Sequence, residues 1–100
     1  MAVISKVLSR TAAATSNATL YTTPAGSSAV VTNILATNTT ATAGTFTINF
    51  NGVAAFSAVP VDGNATVSID LKQVIGASQT ITGLASTTSI NFHISGVEVA

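Results

Sequence analysis

The sequence predicts an all-β chain folded as a two-sheet antiparallel β-sandwich, Ig-like or jelly-roll-like, with seven to eight short strands. Three observations predict it. Apolar and polar residues alternate through much of the chain, which places successive side chains on opposite faces of a strand. Turn signals recur at intervals of roughly ten residues. Val and Ile supply 19 of the 100 residues, and a branched Cβ packs better on a pleated surface than on a helix.

Taken in order, Val3, Ile4, Val7 and Leu8 fit helical spacing as well as a strand with both faces covered, and their branching favours the strand. Residues 1–12 are therefore an N-terminal arm or an edge strand of a single domain spanning 1–100. Leu20-Tyr21 leads into the turn Thr23-Pro24-Ala25-Gly26. A strand follows over 29–37, with Val30, Ile34 and Ala36 in phase. The stretch 38–44 contains only Thr, Ala, Asn and Gly, and is a loop. Phe46, Ile48 and Phe50 then alternate with Thr45, Thr47 and Asn49. Asn51-Gly52 supplies the positive φ values of a type I′ turn, so 53–59 returns antiparallel to 45–51.

Pro60 to Gly63 makes the next turn, and Val67, Ile69 and Leu71 line one face of the strand after it. Asp70 with Gln73 resembles a capping box, and Gly76 can close the turn, so a single helical turn is expected over 71–75. Ile81 between Thr80 and Thr82 marks a short strand ending near Gly83. The last strand, 89–99, turns Ile90, Phe92 and Ile94 to one face. Val97 and Val99 fall on the opposite parity, which predicts a bulge over Ser95–Val97 at Gly96. The expected core is Phe46, Phe50, Phe92, Ile48, Ile69 and Ile94. With 17 Ala in the chain, that core is thin.

Only six residues are charged, three of each sign, while Thr and Ser make up 28. Soluble domains usually carry ~25% charged residues, so hydroxyls and amides wet this surface. A chain of zero net charge offers no field for a phosphate backbone or an anionic membrane, and no apolar run approaches the ~18 residues of a spanning helix. Neither nucleic acid nor membrane is an expected partner. Neutral β-rich chains with open edges do tend to associate. Thr-x-Thr recurs at Thr40/Thr42, Thr45/Thr47 and Thr80/Thr82, but without the fixed period of a solenoid.

Enzyme chemistry finds no constellation here. His93 is the only histidine, there is no cysteine, and the acids are Asp62, Asp70 and Glu98. General acid–base catalysis or metal binding needs several such groups converging. No catalytic, metal or cofactor site is expected. Asp70 serves as a cap, and Asp62 belongs to a turn. His93 lies opposite in phase to Phe92 and Ile94, on the solvent or subunit face. Asn-x-Thr acceptors at Asn17, Asn38 and Asn64 are close to the number that chance gives in so Thr-rich a chain.

Three phrases resemble segments that recur in small virion proteins of tailed bacteriophages. They are Leu20-Tyr21-Thr22-Thr23-Pro24-Ala25-Gly26 with Val30-Val31-Thr32-Asn33-Ile34, the run from Asn64 through Asp70-Leu71-Lys72-Gln73 to Ile75, and Ile90-Asn91-Phe92-His93-Ile94-Ser95-Gly96-Val97-Glu98. The resemblance covers residues 20–99 and is similar in extent to the sandwich itself. It implies a non-enzymatic structural protein assembled in the host cytoplasm and located in the virion. Two roles follow from it: a head decoration (cement) protein bridging major-capsid subunits, or a tail or fibre component attaching to host-surface glycans. The implied partners are the chain itself, as a trimer or dimer, and a phage capsid or tail protein. The expected interface residues are Val3, Ile4, Lys6, Val7, Leu8 and Arg10, apolar at both parities with two cations, together with His93.

Overall fold

The computed structural model describes residues 3–100, and eight strands make up most of them. In chain order they are β1 (Val3–Ala12), β2 (Ala18–Thr22), β3 (Ser28–Asn38), β4 (Gly44–Phe50), β5 (Val53–Val61), β6 (Thr66–Ile75), β7 (Thr80–Ala85) and β8 (Ile90–Val99). They form two antiparallel four-stranded sheets, ordered β1-β8-β3-β6 and β2-β7-β4-β5. The sheets stack as a sandwich 45 Å long and about 20 Å across. β1 lies against β2 along one side, and β5 and β6 flank the other. The N-terminal segment is thus an edge strand; Met1 and Ala2 of the expected arm lie outside the described residues.

Alternation fills the space between the sheets. β8 buries Ile90, Phe92 and Ile94, β3 buries Val31, Ile34 and Ala36, and β4 and β7 answer with Phe46, Ile48 and Ile81. Phe46 and Phe92 meet edge to face across the sandwich, their ring centroids 5.8 Å apart, a geometry that the aromatic quadrupole favours. Phe50 and Ile69, expected in this core, are only partly buried. Phe50 opens on a groove at the β5/β6 side, and Ile69 sits on an edge strand. At the end of the sandwich where β8 begins, the buried Asn38 ties the loops together. Its amide donates to the Thr42 carbonyl, and its Oδ1 accepts from Thr40 and Ser89. This Asn is no surface acceptor.

The hairpin at 50–53 forms as the sequence indicates, with Phe50 paired to Val53 and positive φ at Asn51 and Gly52. Several expectations change, among them that for Pro60, which lies in β5 and not in a turn. Residues 71–75 are not a helical turn but the end of β6, because the strand pairs with β3 through Val74 and Ile75. The local irregularity is a register shift in which Leu71 and Lys72 lie opposite the single Thr32. The Asp70 carboxylate caps nothing; it accepts from the Asn33 amide at 2.9 Å across the strand pair. Finally, Val30 faces outward and Val31 inward, since Thr32 is an extra residue of β3 relative to β8.

The bulge expected at Gly96 lies instead in the neighbours of β8. Between Ser95 and Ile94 the partner strand β1 carries the extra Leu8, and between Gly96 and Ser95 β3 carries the extra Thr32. β8 itself runs without interruption. Gly96 does not have positive φ; its role is close approach. A Cβ there would lie 2.1 Å from the Val30 carbonyl oxygen and 3.0 Å from Leu8 Cδ1. Val97 and Val99 simply face outward, beside Val30 and Val3.

Two outcomes test this packing by denaturant unfolding. Phe92→Ala should cost about 3–5 kcal/mol, the usual loss on truncating a buried Phe, and a loss below ~1 kcal/mol would contradict its central place. Gly96→Ala should also destabilise, by about 1–3 kcal/mol or more, because the backbone of β3 must move to admit a methyl group. A neutral Gly96→Ala variant would show that the strands are not held this closely.

Candidate functional site

The candidate surface is built on the edges of the sandwich, beginning with β1. Its pairing with β8 sets the direction of each side chain. Val3 and Val7 stand opposite the outward-facing Val99 and Ser95, whereas Ile4 and Lys6 stand opposite Glu98 and Gly96 on the inner side. Val3, Ile4 and Val7 are all exposed, Val3 to 65%. Leu8 is not. Sitting at the bulge on the same inward parity as Ile4 and Lys6, it enters the core, where it is 6% exposed and packs over Gly96. That parity removes it from the expected interface; the register shift beyond it turns Arg10 outward, opposite His93.

The charged members of that set hold local partners. Lys6 Nζ lies 3.0 Å from Glu98 Oε2, and the Tyr21 hydroxyl of the other sheet donates to the same oxygen. Lys6, Glu98 and Tyr21 therefore clamp β1, β8 and β2 at one end of the sandwich. Burial, reinforced by the Glu98 charge, pushes the Tyr21 phenol from its ordinary 10 to about 12. The two donors, Tyr21 first and Lys6 second, hold the Glu98 carboxyl below its ordinary range. Arg10 and His93 face each other on the outer surface, with Arg10 Nε–H donating to His93 Nδ1 at 3.2 Å. His93 is half-buried on the outward face, as its phase against Phe92 and Ile94 indicates.

The opposite side of the sandwich carries a feature that the sequence reasoning missed. An open groove of about 420 Å³ runs between β5 and β6, floored by Phe50, Phe56 and Leu71 and rimmed by Val53 and Gln73. Val53 is 70% exposed, and on the outer face of β6 Val74 is 69% exposed. A signal for this was present: Val53-Ala54-Ala55-Phe56 has no polar alternation, so one face of that strand had to leave apolar atoms uncovered. The groove holds no charged side chain. Among the described residues no three His, Asp or Glu side chains gather, and no helix is long and apolar enough to cross a membrane. What the two edges offer is apolar contact and unpaired backbone.

The clamp makes a testable statement about pH. The Glu98 carboxyl is depressed in the folded chain, so its contribution is present above the ordinary Glu range and is lost as pH falls through the folded value. Tyr21 is raised, so stability is whole below pH 10 and is lost as pH rises toward 12, where the unfolded chain ionises first. Unfolding free energy should therefore be flat from about pH 5 to 9, falling on both sides. Glu98→Gln should flatten the acid limb, measured by denaturant titration across pH. A steep change within the histidine range would instead assign the control to the Arg10–His93 contact.

No family model matches the chain, and no curated protein sequence does. Among solved structures the chain is similar to the one described as the crystal structure of the Agl-KA catalytic domain, at 15% identity and a TM-score of 0.49. The match covers 90% of this chain and 20% of that one, so the chain spans a fifth of that protein's length. Nothing about activity follows from a likeness at this level.

Proposed function

We propose that the chain is a non-enzymatic structural protein of a tailed-phage virion, a capsid decoration protein that works as a small homo-oligomer bridging major-capsid subunits. The reading is carried by one observation: the exposed large apolar residues sit on the edges of the sandwich, on a surface with few charges. A part whose task is to add buried contact area needs this and no reactive group. An interface of ~800 Å² per partner suffices for stable attachment. The sequence resemblance supplies the virion setting, and the absence of cofactor and of catalytic chemistry belongs to the same proposal.

The test uses point variants. Removing β1 altogether would delete Leu8 from the core and confound binding with folding. Particles lacking the protein are incubated with the intact chain or with the Val3→Asp, Val7→Asp double variant, and occupancy is measured by quantitative gel and by electron microscopy. Intact protein should fill head sites, and the variant should bind at least about tenfold more weakly, since an unpaired carboxylate would be buried at the contact. Equal occupancy removes β1 from the binding surface. Intact protein found only at the tail moves the assignment to the fibre or attachment role.

A further inference from the structure

Among the described residues the five exposed large apolar side chains are not scattered. Val3, Ile4 and Val7 lie on β1, and Val53 and Val74 lie on β5 and β6. β1 and β6 are the two opposite edges of one sheet, the places where a sheet can be extended. Isolated exposed apolar residues need no explanation; their confinement to two complementary edges does. We propose that β1 of one copy docks along β6 of a second copy, so that copies join head to tail in a continued sheet, with Ile4 entering the groove beside Val53, Phe56 and Leu71. The occupant of the groove is a second copy of this chain.

Strand direction fits this arrangement. Each neighbour in β1-β8-β3-β6 is antiparallel, so β1 and β6 run in opposite directions. A following copy in the same orientation brings its β1 antiparallel to β6 and keeps the alternation. Side-chain direction fits as well. Ile4 shares the inward parity and would point between the sheets, into the groove, while Val3 and Val7 would extend the outer face, Val3 diagonal to Val74 and Val7 beside Ser68.

Charge agrees with geometry. Lys6 and Arg10 against Glu98 leave the β1 edge with one positive charge in excess. Asp62 and Asp70 against Lys72 leave the β6 edge with one negative charge in excess. Running antiparallel, a β1 whose Ile4 sits by Leu71 sets Ser5 opposite Asp70 and carries Arg10 to the stretch 65–66, between Asp70 and Asp62. Lys6 already holds Glu98 within its own copy, so docking buries no lone cation there.

The quality of the edges selects β6 as the acceptor. β5 carries Pro60, positive φ at Ala58 and two register shifts against β4, all of which spoil a strand as a template. β6 contains no Pro and one shift. The self-association in the proposed function is deepened by this arrangement, which rests on it but not on the virion setting. Purified protein alone therefore tests it, and particle binding can fail separately.

A head-to-tail contact uses two different surfaces, which gives a decisive mixing experiment. One variant carries Val3→Asp and Val7→Asp on β1; the other carries Val53→Asp and Val74→Asp at the groove. All four positions are exposed, so both variants should keep the melting temperature of the parent. Each alone should self-associate about tenfold or more weakly than the parent by sedimentation, because a carboxylate is buried unpaired. Mixed, they should form a 1:1 heterodimer that does not grow further, since one intact β1 meets one intact groove. A parent that stays monomeric at high concentration overturns the proposal, as does a mixture with no heterodimer, which is the result for β1 pairing with β1. Self-association that survives the groove substitutions overturns it too, and leaves the groove to a different partner.

The chain has no cysteine, so a covalent version is clean. Ser5→Cys and Asp70→Cys, opposite each other across the proposed contact, lie three strand spacings apart within one chain, about 14 Å, too far for an internal disulfide. Oxidation should give a ladder or closed ring of linked copies, whereas Ser5→Cys alone should stay unlinked. Efficient dimers from Ser5→Cys alone contradict the head-to-tail contact.

Discussion

The edge-to-face contact of Phe92 with Phe46 is the fixed point of this sandwich, because the fully buried core around it is mainly Ile and Val, which carry no such directional contact. Phe92 sits on β8, and β8 is the strand around which the larger devices are arranged. It pairs with β1 on one side and β3 on the other. The Asn38 network closes the sandwich where β8 begins, and the Tyr21–Glu98–Lys6 clamp closes it where β8 ends. β8 runs past all three, so the two sheets are registered against each other along a single line.

That role explains why β8 is regular while its neighbours are not. Gly96 lets the Val30 carbonyl approach to a distance that any Cβ would forbid. The extra residues needed to fit the strands together are then placed in β1 and β3, and a further one in β6. Bulges in flanking strands increase local twist and re-aim side chains. Here the one in β1 turns Arg10 outward beyond the buried Leu8, and the one in β3 sends Val31 inward and leaves Val30 outward.

The legible parts of the chain were those where alternation is unbroken. Phe46, Ile48, Phe92 and Ile94, and the hairpin at Asn51-Gly52, could be read from spacing and turn chemistry. The parts that could not share one cause. A bulge changes parity without leaving a mark in its own strand: Arg10 is turned outward and Val31 inward by pairings made with β8, far away in sequence. Asp70 and Gln73 imitate a helix start, yet Asn33 across the sheet satisfies the carboxylate and the strand continues. At the surface, the exposure of Val3, Ile4 and Val7 followed once β1 was an edge. The groove did not, because it depends on β5 and β6 flanking the same side, which is a matter of topology.

The pairing of β1 with β8 also fixes the mechanical character of the chain. Val3 is opposite Val99, and Ala12 is opposite Asn91. Tension applied between residues 3 and 99 opens this ladder like a zipper, loading one rung at a time. Tension between residues 3 and 91 slides the strands past each other and loads the rungs together. Single-molecule pulling from the first pair of attachment points should rupture β1 at a much lower force than pulling from the second, and equal forces would contradict the register. The same strand is thus easy to peel away and hard to slide.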